Sequence, residues 1–106
     1  MKQLLSEIHE WQKKTFTEAN PVSKLHHLSK EVVELVDALK NMGTVYSEEE
    51  VKMEYADCFF LLFGSAMAYG MDLYEIERVM RKKLEINKKR KWGKPDENGV
   101  VLHEKE

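Results

Sequence analysis

The sequence predicts an all-α fold of four helices. Three observations carry that expectation. Apolar residues return at spacings of three and four in four segments, start and stop signals bracket those segments, and no period-two alternation is long enough to propose a sheet. The first helix is expected from Lys2 to Phe16, with Leu4, Ile8 and Trp11 at helical spacing, ending before the turn-forming Glu18-Ala19-Asn20-Pro21. The second begins near Ser23 and carries Leu25, Leu28, Val32, Leu35 and Leu39 in a seam suited to packing along another helix. Asn41-Met42-Gly43 closes it. Ser47-Glu48-Glu49-Glu50 has capping-box spacing, in which hydroxyl and carboxylate satisfy free backbone donors, and it starts the third helix. That helix becomes apolar nearly all round between Cys58 and Phe63 and stops at Gly70, so it is expected to be surrounded, with Tyr55 in the core. Asp72 is placed to cap the fourth helix, whose stripe of Leu73, Ile76, Met80 and Leu84 fades near Trp92. Lys94-Pro95-Asp96-Glu97-Asn98-Gly99 is rich in turn formers. Residues 1–94 therefore read as one helical domain and 95–106 as a C-terminal tail, docked or frayed.

A chain of 106 residues suits one domain, and 42% hydrophobic with 34% charged residues fits a soluble, helix-rich protein rather than a disordered one. The longest apolar run, Cys58 to Tyr69, is broken by Gly64 and Ser65 and is too short for a bilayer, so no membrane association is expected. The opening MKQLLSEIHEW lacks the unbroken apolar stretch of a signal peptide, which points to the cytoplasm. Cys58 is the single cysteine, which excludes an internal disulfide or a cysteine zinc cluster; its apolar neighbours predict a packed thiol. The net charge of −2 conceals nine Lys or Arg between positions 78 and 94 against the single acid Glu85. Trp92 is the only aromatic there, whereas strand-tracking surfaces interleave several, so nucleic acid is not the expected partner and a solvated helix face is. A small core with an almost wholly apolar helix gains by burying surface against another copy, so a homodimer or homotetramer completing the core is expected.

The chemistry lies in two acid pairs. Glu31-Val32-Val33-Glu34 places two carboxylates on one helix face, with His27 beside them, on a strip bordering the Leu28, Val32, Leu35 seam. Glu54-Tyr55-Ala56-Asp57 repeats the spacing immediately before the most apolar stretch. Unpaired carboxylates gathered in a low-dielectric bundle repel and resist ionisation, so they need protons, basic partners or a metal. Magnesium takes hard oxygen ligands in octahedral geometry and shares its shell with water and phosphate. One such pair is commonplace on a solvated face; two pairs flanking the core are less so. A di-iron bundle would need Glu followed three residues later by His, and His9, His26, His27 and His103 all lack it.

With these residues the chain resembles the MazG-like, all-α nucleoside triphosphate pyrophosphohydrolases, whose motif runs EExxE, a variable gap, then ExxD. Lys30-Glu31-Val32-Val33-Glu34, followed after nineteen residues by Glu54-Tyr55-Ala56-Asp57, fits its order and gap. Lys30 departs from it where the family often has Glu, which bears on a second metal or its outer-shell support. The likeness extends to the dATP/dGTP diphosphohydrolase-like subgroup through Trp11-Gln12 with Thr15-Phe16, His27-Leu28 with Lys30-Glu31, and Lys83-Leu84, Asn87, Arg90 and Trp92. The resemblance implies a four-helix bundle and Mg2+, with Mn2+ as a possible substitute, on Glu31, Glu34, Glu54 and Asp57. It implies attack of water at the α-phosphorus of a nucleoside triphosphate, dATP or dGTP among the candidates, giving a monophosphate and pyrophosphate. From the residues alone, another phosphorus is as reasonable a target.

Glu34 is the candidate general base as well as a ligand. Lys83, Asn87 and Arg90, at i, i+4 and i+7, present donors suited to phosphate or an ordinary polar helix face, and Lys83 is the first choice for a catalytic role. Trp11 could stack on a base or pack in the core, and His27 could touch substrate or serve as a structural hydrogen bonder. Trp92 and His103 touch a ligand or pin the tail. The competing readings are a non-catalytic helical interaction module, in which the acids pair with a neighbour's cations, and a nucleic-acid accessory using residues 78–94.

Overall fold

The computed structural model describes residues 1–104. Its helices are α1 (Lys2–Thr15), α2 (Pro21–Lys40), α3 (Glu48–Tyr69) and α4 (Leu73–Lys89), with no strand among the described residues. Contacts along the backbone divide the chain into two compact units, Met1–Leu73 and the segment from Tyr74 onward.

In the first unit α2 begins two residues before the expected Ser23. Asn20 Oδ1 accepts from the Ser23 amide at 2.8 Å and Ser23 Oγ accepts from the Asn20 amide at 2.9 Å. Pro21 takes the first helical position, where its missing N–H costs no bond, so a residue that reads as a loop former opens the helix. Helix α3 starts as its spacing predicts: Ser47 Oγ accepts from the Glu50 amide at 3.1 Å and Glu50 Oε1 from the Ser47 amide at 3.2 Å. Gly70, at φ +122°, ends it in the left-handed region that a side chain would strain.

Helices α2 and α3 run antiparallel. At one end Ser65 Oγ donates to the Pro21 carbonyl at 2.8 Å, and towards the other Leu35 and Ala38 cluster with Val51. Cys58 packs against this cluster with Tyr46, as expected of a structural thiol. Helix α1 lies on α3, where Gln12 Nε2 donates to the Phe60 carbonyl at 3.2 Å. That close approach requires Gly64, because a Cβ there would fall 2.5 Å from Gln12 Oε1.

The expectation that α3 is surrounded fails for the single chain. Phe59 is 58% exposed, Leu62 52% and Tyr55 41%, so Tyr55 is not a core residue. The α2 seam is divided likewise, with Leu35 buried while Leu25, Val32 and Leu39 stay exposed. Helices α1 and α2 cover only part of α3's circumference, and a helix apolar all round then leaves its remaining face open. Among the described residues no single helix is long and apolar enough to cross a membrane.

In the second unit Ile76 is buried, whereas Met80 and Leu84 of the same stripe are exposed. The chain beyond α4 folds back on itself. Trp92 and His103 form an antiparallel bridge, with the Gly93 amide donating to the Leu102 carbonyl at 2.8 Å and the Glu104 amide to the Lys91 carbonyl at 2.7 Å. Asp96 Oδ1 shapes the turn by accepting from the amides of Asn98 and Val100. The described part of the tail is thus paired with the segment just after α4 through Trp92 and His103; positions 105 and 106 lie outside the described residues. Exposed ion pairs Arg78–Glu75, Arg81–Glu77 and Lys88–Glu85 occupy the basic run, in keeping with a solvated face.

Candidate active site

The antiparallel register of α2 and α3 sets Glu31 opposite Glu54 and Asp57. One carboxylate oxygen from each of these three lies within 4.8 Å of the others. Oxygens on opposite sides of an octahedral magnesium ion are about 4.2 Å apart, twice a bond of about 2.1 Å, so small side-chain rotations would bring all three onto one ion. Every donor is a hard oxygen. Glu54 carries the strain of the arrangement, since its Oε2 is buried without a hydrogen-bond partner among the described residues. Burial first, then the charges of Glu31, Asp57 and Glu34, then a hydrogen bond with Glu31, push its carboxyl above the ordinary glutamate value. A divalent cation would remove each of these penalties, and the donor set fits it.

Glu34 stands one turn beyond Glu31 on α2. It is exposed and outside the three-oxygen group, although its charge still reaches Glu54. His27, one turn before Glu31, is also exposed, and its Nε2 lies 3.2 Å from Glu31 Oε1, so it steadies a carboxylate of the cluster. The Cys58 thiol is pushed up by burial first and then by Glu31, Glu54 and Asp57, which places it against the same acids. Trp11 is exposed and meets Phe16 edge to face at 5.4 Å. Lys83 and Asn87 lie on α4 in the second unit and Arg90 just after its end; Arg90 Nη1 donates to Asn87 Oδ1 at 3.5 Å and Trp92 Nε1 to the Asn87 carbonyl at 3.0 Å.

Two buried polar side chains had no counterpart among the candidates read from the sequence. Gln12 is 5% exposed and Lys24 8%, and both face a cavity in the first unit. A signal existed for Lys24, which precedes Glu31 by seven residues and so shares its helix face.

The raised Glu54 value fixes the sign of a pH dependence. Protonation favours the folded metal-free chain, so this contribution to stability is fully present below the unfolded glutamate pKa of about 4.3 and is lost as pH rises through the higher folded value. In chelator, the melting temperature of the wild type should fall relative to that of Glu54→Gln as pH rises over this window. A difference between the two that stays constant across pH would contradict the assignment.

The family model of the dATP/dGTP pyrophosphohydrolases matches residues 4–106. The chain belongs to that family. A solved structure similar to this dATP/dGTP pyrophosphohydrolase family member is the cyanophage S-2L MazG-like pyrophosphohydrolase bound to dGDP and three catalytic Mn2+ ions per active site. It is 25% identical with a TM-score of 0.74, covering 97% of this chain and 95% of that one. The all-α MazG-like fold expected from the acid motif is thereby established. The Eaa protein of Salmonella phage P22 is 43% identical over 54 residues, 51% of this chain. The chain spans 17% of that relative's length.

Proposed function

We propose that this protein hydrolyses a deoxynucleoside triphosphate to its monophosphate and pyrophosphate, with Mg2+ or Mn2+ held by Glu31, Glu54 and Asp57 and supported by Glu34. The observation that carries this reading is the convergence of three carboxylate oxygens around a Glu54 with one unpartnered buried oxygen. Family membership supports the choice of bond, and the dGDP and Mn2+ of the cyanophage enzyme support a purine deoxynucleotide and the metal class. A divalent ion bound there would neutralise the triphosphate and lower the pKa of an attacking water.

The chain's own residues supply the rest. His27 orients Glu31, keeping one carboxylate oxygen turned to the cluster. Glu34, exposed one turn away, is free to take the proton of the attacking water as general base. Lys83, Asn87 and Arg90 are the proposed phosphate donors, a reading supported by the resemblance and by their i, i+4 and i+7 spacing. Trp11 meets Phe16 edge to face and serves the substrate by holding that ring in place. The open apolar face of α3 supports assembly as a homodimer or homotetramer.

Pyrophosphate release measured across ribo- and deoxynucleoside triphosphates with Mg2+ or Mn2+ tests the reading, with Asp57→Asn as control. Release from dGTP or dATP, lost by more than about a hundredfold in the control, is expected. A folded protein that releases no pyrophosphate and gains no thermal stability from either metal would instead be a non-catalytic interaction module.

A further inference from the structure

A cavity of about 210 Å³ opens in the first unit, walled by Gln12, Phe16, Lys24 and Gly64 with His9 at its edge. It is smaller than the roughly 300 Å³ at which pockets for whole drug-sized ligands begin, and so is scaled to part of a nucleotide. Two buried groups face it. Gln12 Nε2 is committed to the Phe60 carbonyl, which fixes the amide so that Oε1, buried and without a donor among the described residues, is the atom left to bond. Lys24 has its ammonium 5.7 Å from the centre of the Phe16 ring and, among the described residues, no carboxylate within ion-pair distance. An idle buried acceptor is costly unless a ligand meets it, and the Lys24 ammonium beside it has no counter-ion among the described residues.

The helix register ties this cavity to the carboxylates. Lys24 precedes Glu31 by seven residues on α2, and Gly64 follows Asp57 by seven on α3. Seven residues bring a helix back to almost the same face about 10.5 Å along its axis. Because α2 and α3 are antiparallel, both offsets run the same way. Cavity and acids are therefore two stations on one strip, separated by a length that a deoxyribose and its phosphate ester can span.

We propose that this cavity is the base subsite and selects guanine, with Gln12 Oε1 accepting from the ring N–H or amino group and Lys24 donating to O6 and N7. The inference rests on the pyrophosphohydrolase reading above. Guanine offers lysine two acceptors side by side, whereas adenine pairs its N7 with an amino group that would repel the ammonium's protons. Phe16 supplies an aromatic surface for the ring.

The test compares wild type with Lys24→Met in Mn2+, reading kcat/KM for dGTP and dATP and inhibition by tripolyphosphate, which has phosphates but no base. The variant should lose at least about tenfold on dGTP, lose less on dATP, and keep its tripolyphosphate inhibition. Equal losses on both nucleotides, or no loss on dGTP, overturn the proposal. Should Lys24→Met fail to fold, Lys24→Gln gives the readout, because a side-chain amide pairs with the N6/N7 edge of adenine and not with the two acceptors of guanine. A wild type that releases no pyrophosphate and shows no Mn2+-dependent stabilisation by tripolyphosphate defeats the parent reading alone. The cavity is then judged by 2′-deoxyguanosine without metal: a rise in melting temperature in the wild type and not in Lys24→Met sustains it, and no rise ends it.

Discussion

Replacing Glu54 by Gln should cut pyrophosphate release by more than about a hundredfold while making the metal-free protein more stable. The two effects have opposite signs because one side chain is both a ligand and the most burdened acid of the cluster. Glu54 is partly buried, leaves Oε2 unpartnered, and lies within reach of three other carboxylates. A neutral amide of the same shape removes the repulsion and brings donors of its own, yet is a poor ligand for a hard cation. Since the site is partly open to solvent, the gain in stability should be modest, a few degrees at most. Calorimetry in chelator and a pyrophosphate assay in Mn2+ read the two effects separately. A variant less stable than wild type without metal would show that Glu54 is a structural hydrogen bonder, not a frustrated ligand.

Saturating Mn2+ should raise the melting temperature of the wild type by roughly ten degrees or more. An ion that binds only the folded chain contributes about 2.7 kcal/mol at a hundred times its Kd, and a domain of this size shifts by about 4–8 °C per kcal/mol. Glu31, Glu54 and Asp57 stand on two antiparallel helices, so the ion would tie α2 to α3 at their midpoints and add to the contacts at Ser65 and Val51. The rise should vanish in Asp57→Asn and grow with pH, because the ion displaces the proton that Glu54 holds more tightly than an ordinary glutamate. A rise of the same size in Asp57→Asn would place the ion elsewhere.

Much of this site was legible in the sequence for a local reason. A three-residue spacing keeps two acids on one helix face whatever the rest of the chain does, so Glu31 with Glu34 and Glu54 with Asp57 could be paired before any coordinates. Which three of the four converge was not legible, because that depends on the register between α2 and α3, and the register puts Glu31 opposite the α3 pair while Glu34 looks outward. Capping shows the same division. The Ser47–Glu50 box was recognisable by spacing alone, whereas Asn20 and Pro21 serve equally well in a turn, and only their backbone geometry shows them opening α2. Burial was the least readable property. Tyr55 and Phe59 are large and apolar yet exposed, and Gln12 and Lys24 are polar yet enclosed, since each outcome depends on which neighbouring helix covers that arc of the surface.

The division of the chain into two units has a spectroscopic consequence. The sequence holds two tryptophans; Trp11 stands beside Phe16 in the first unit, and Trp92 in the second gives its indole N–H to the Asn87 carbonyl. Each unit thus carries its own fluorophore. Exchanging either indole for phenylalanine leaves an emission signal from one half of the molecule, so the order in which the halves melt can be followed without adding a label.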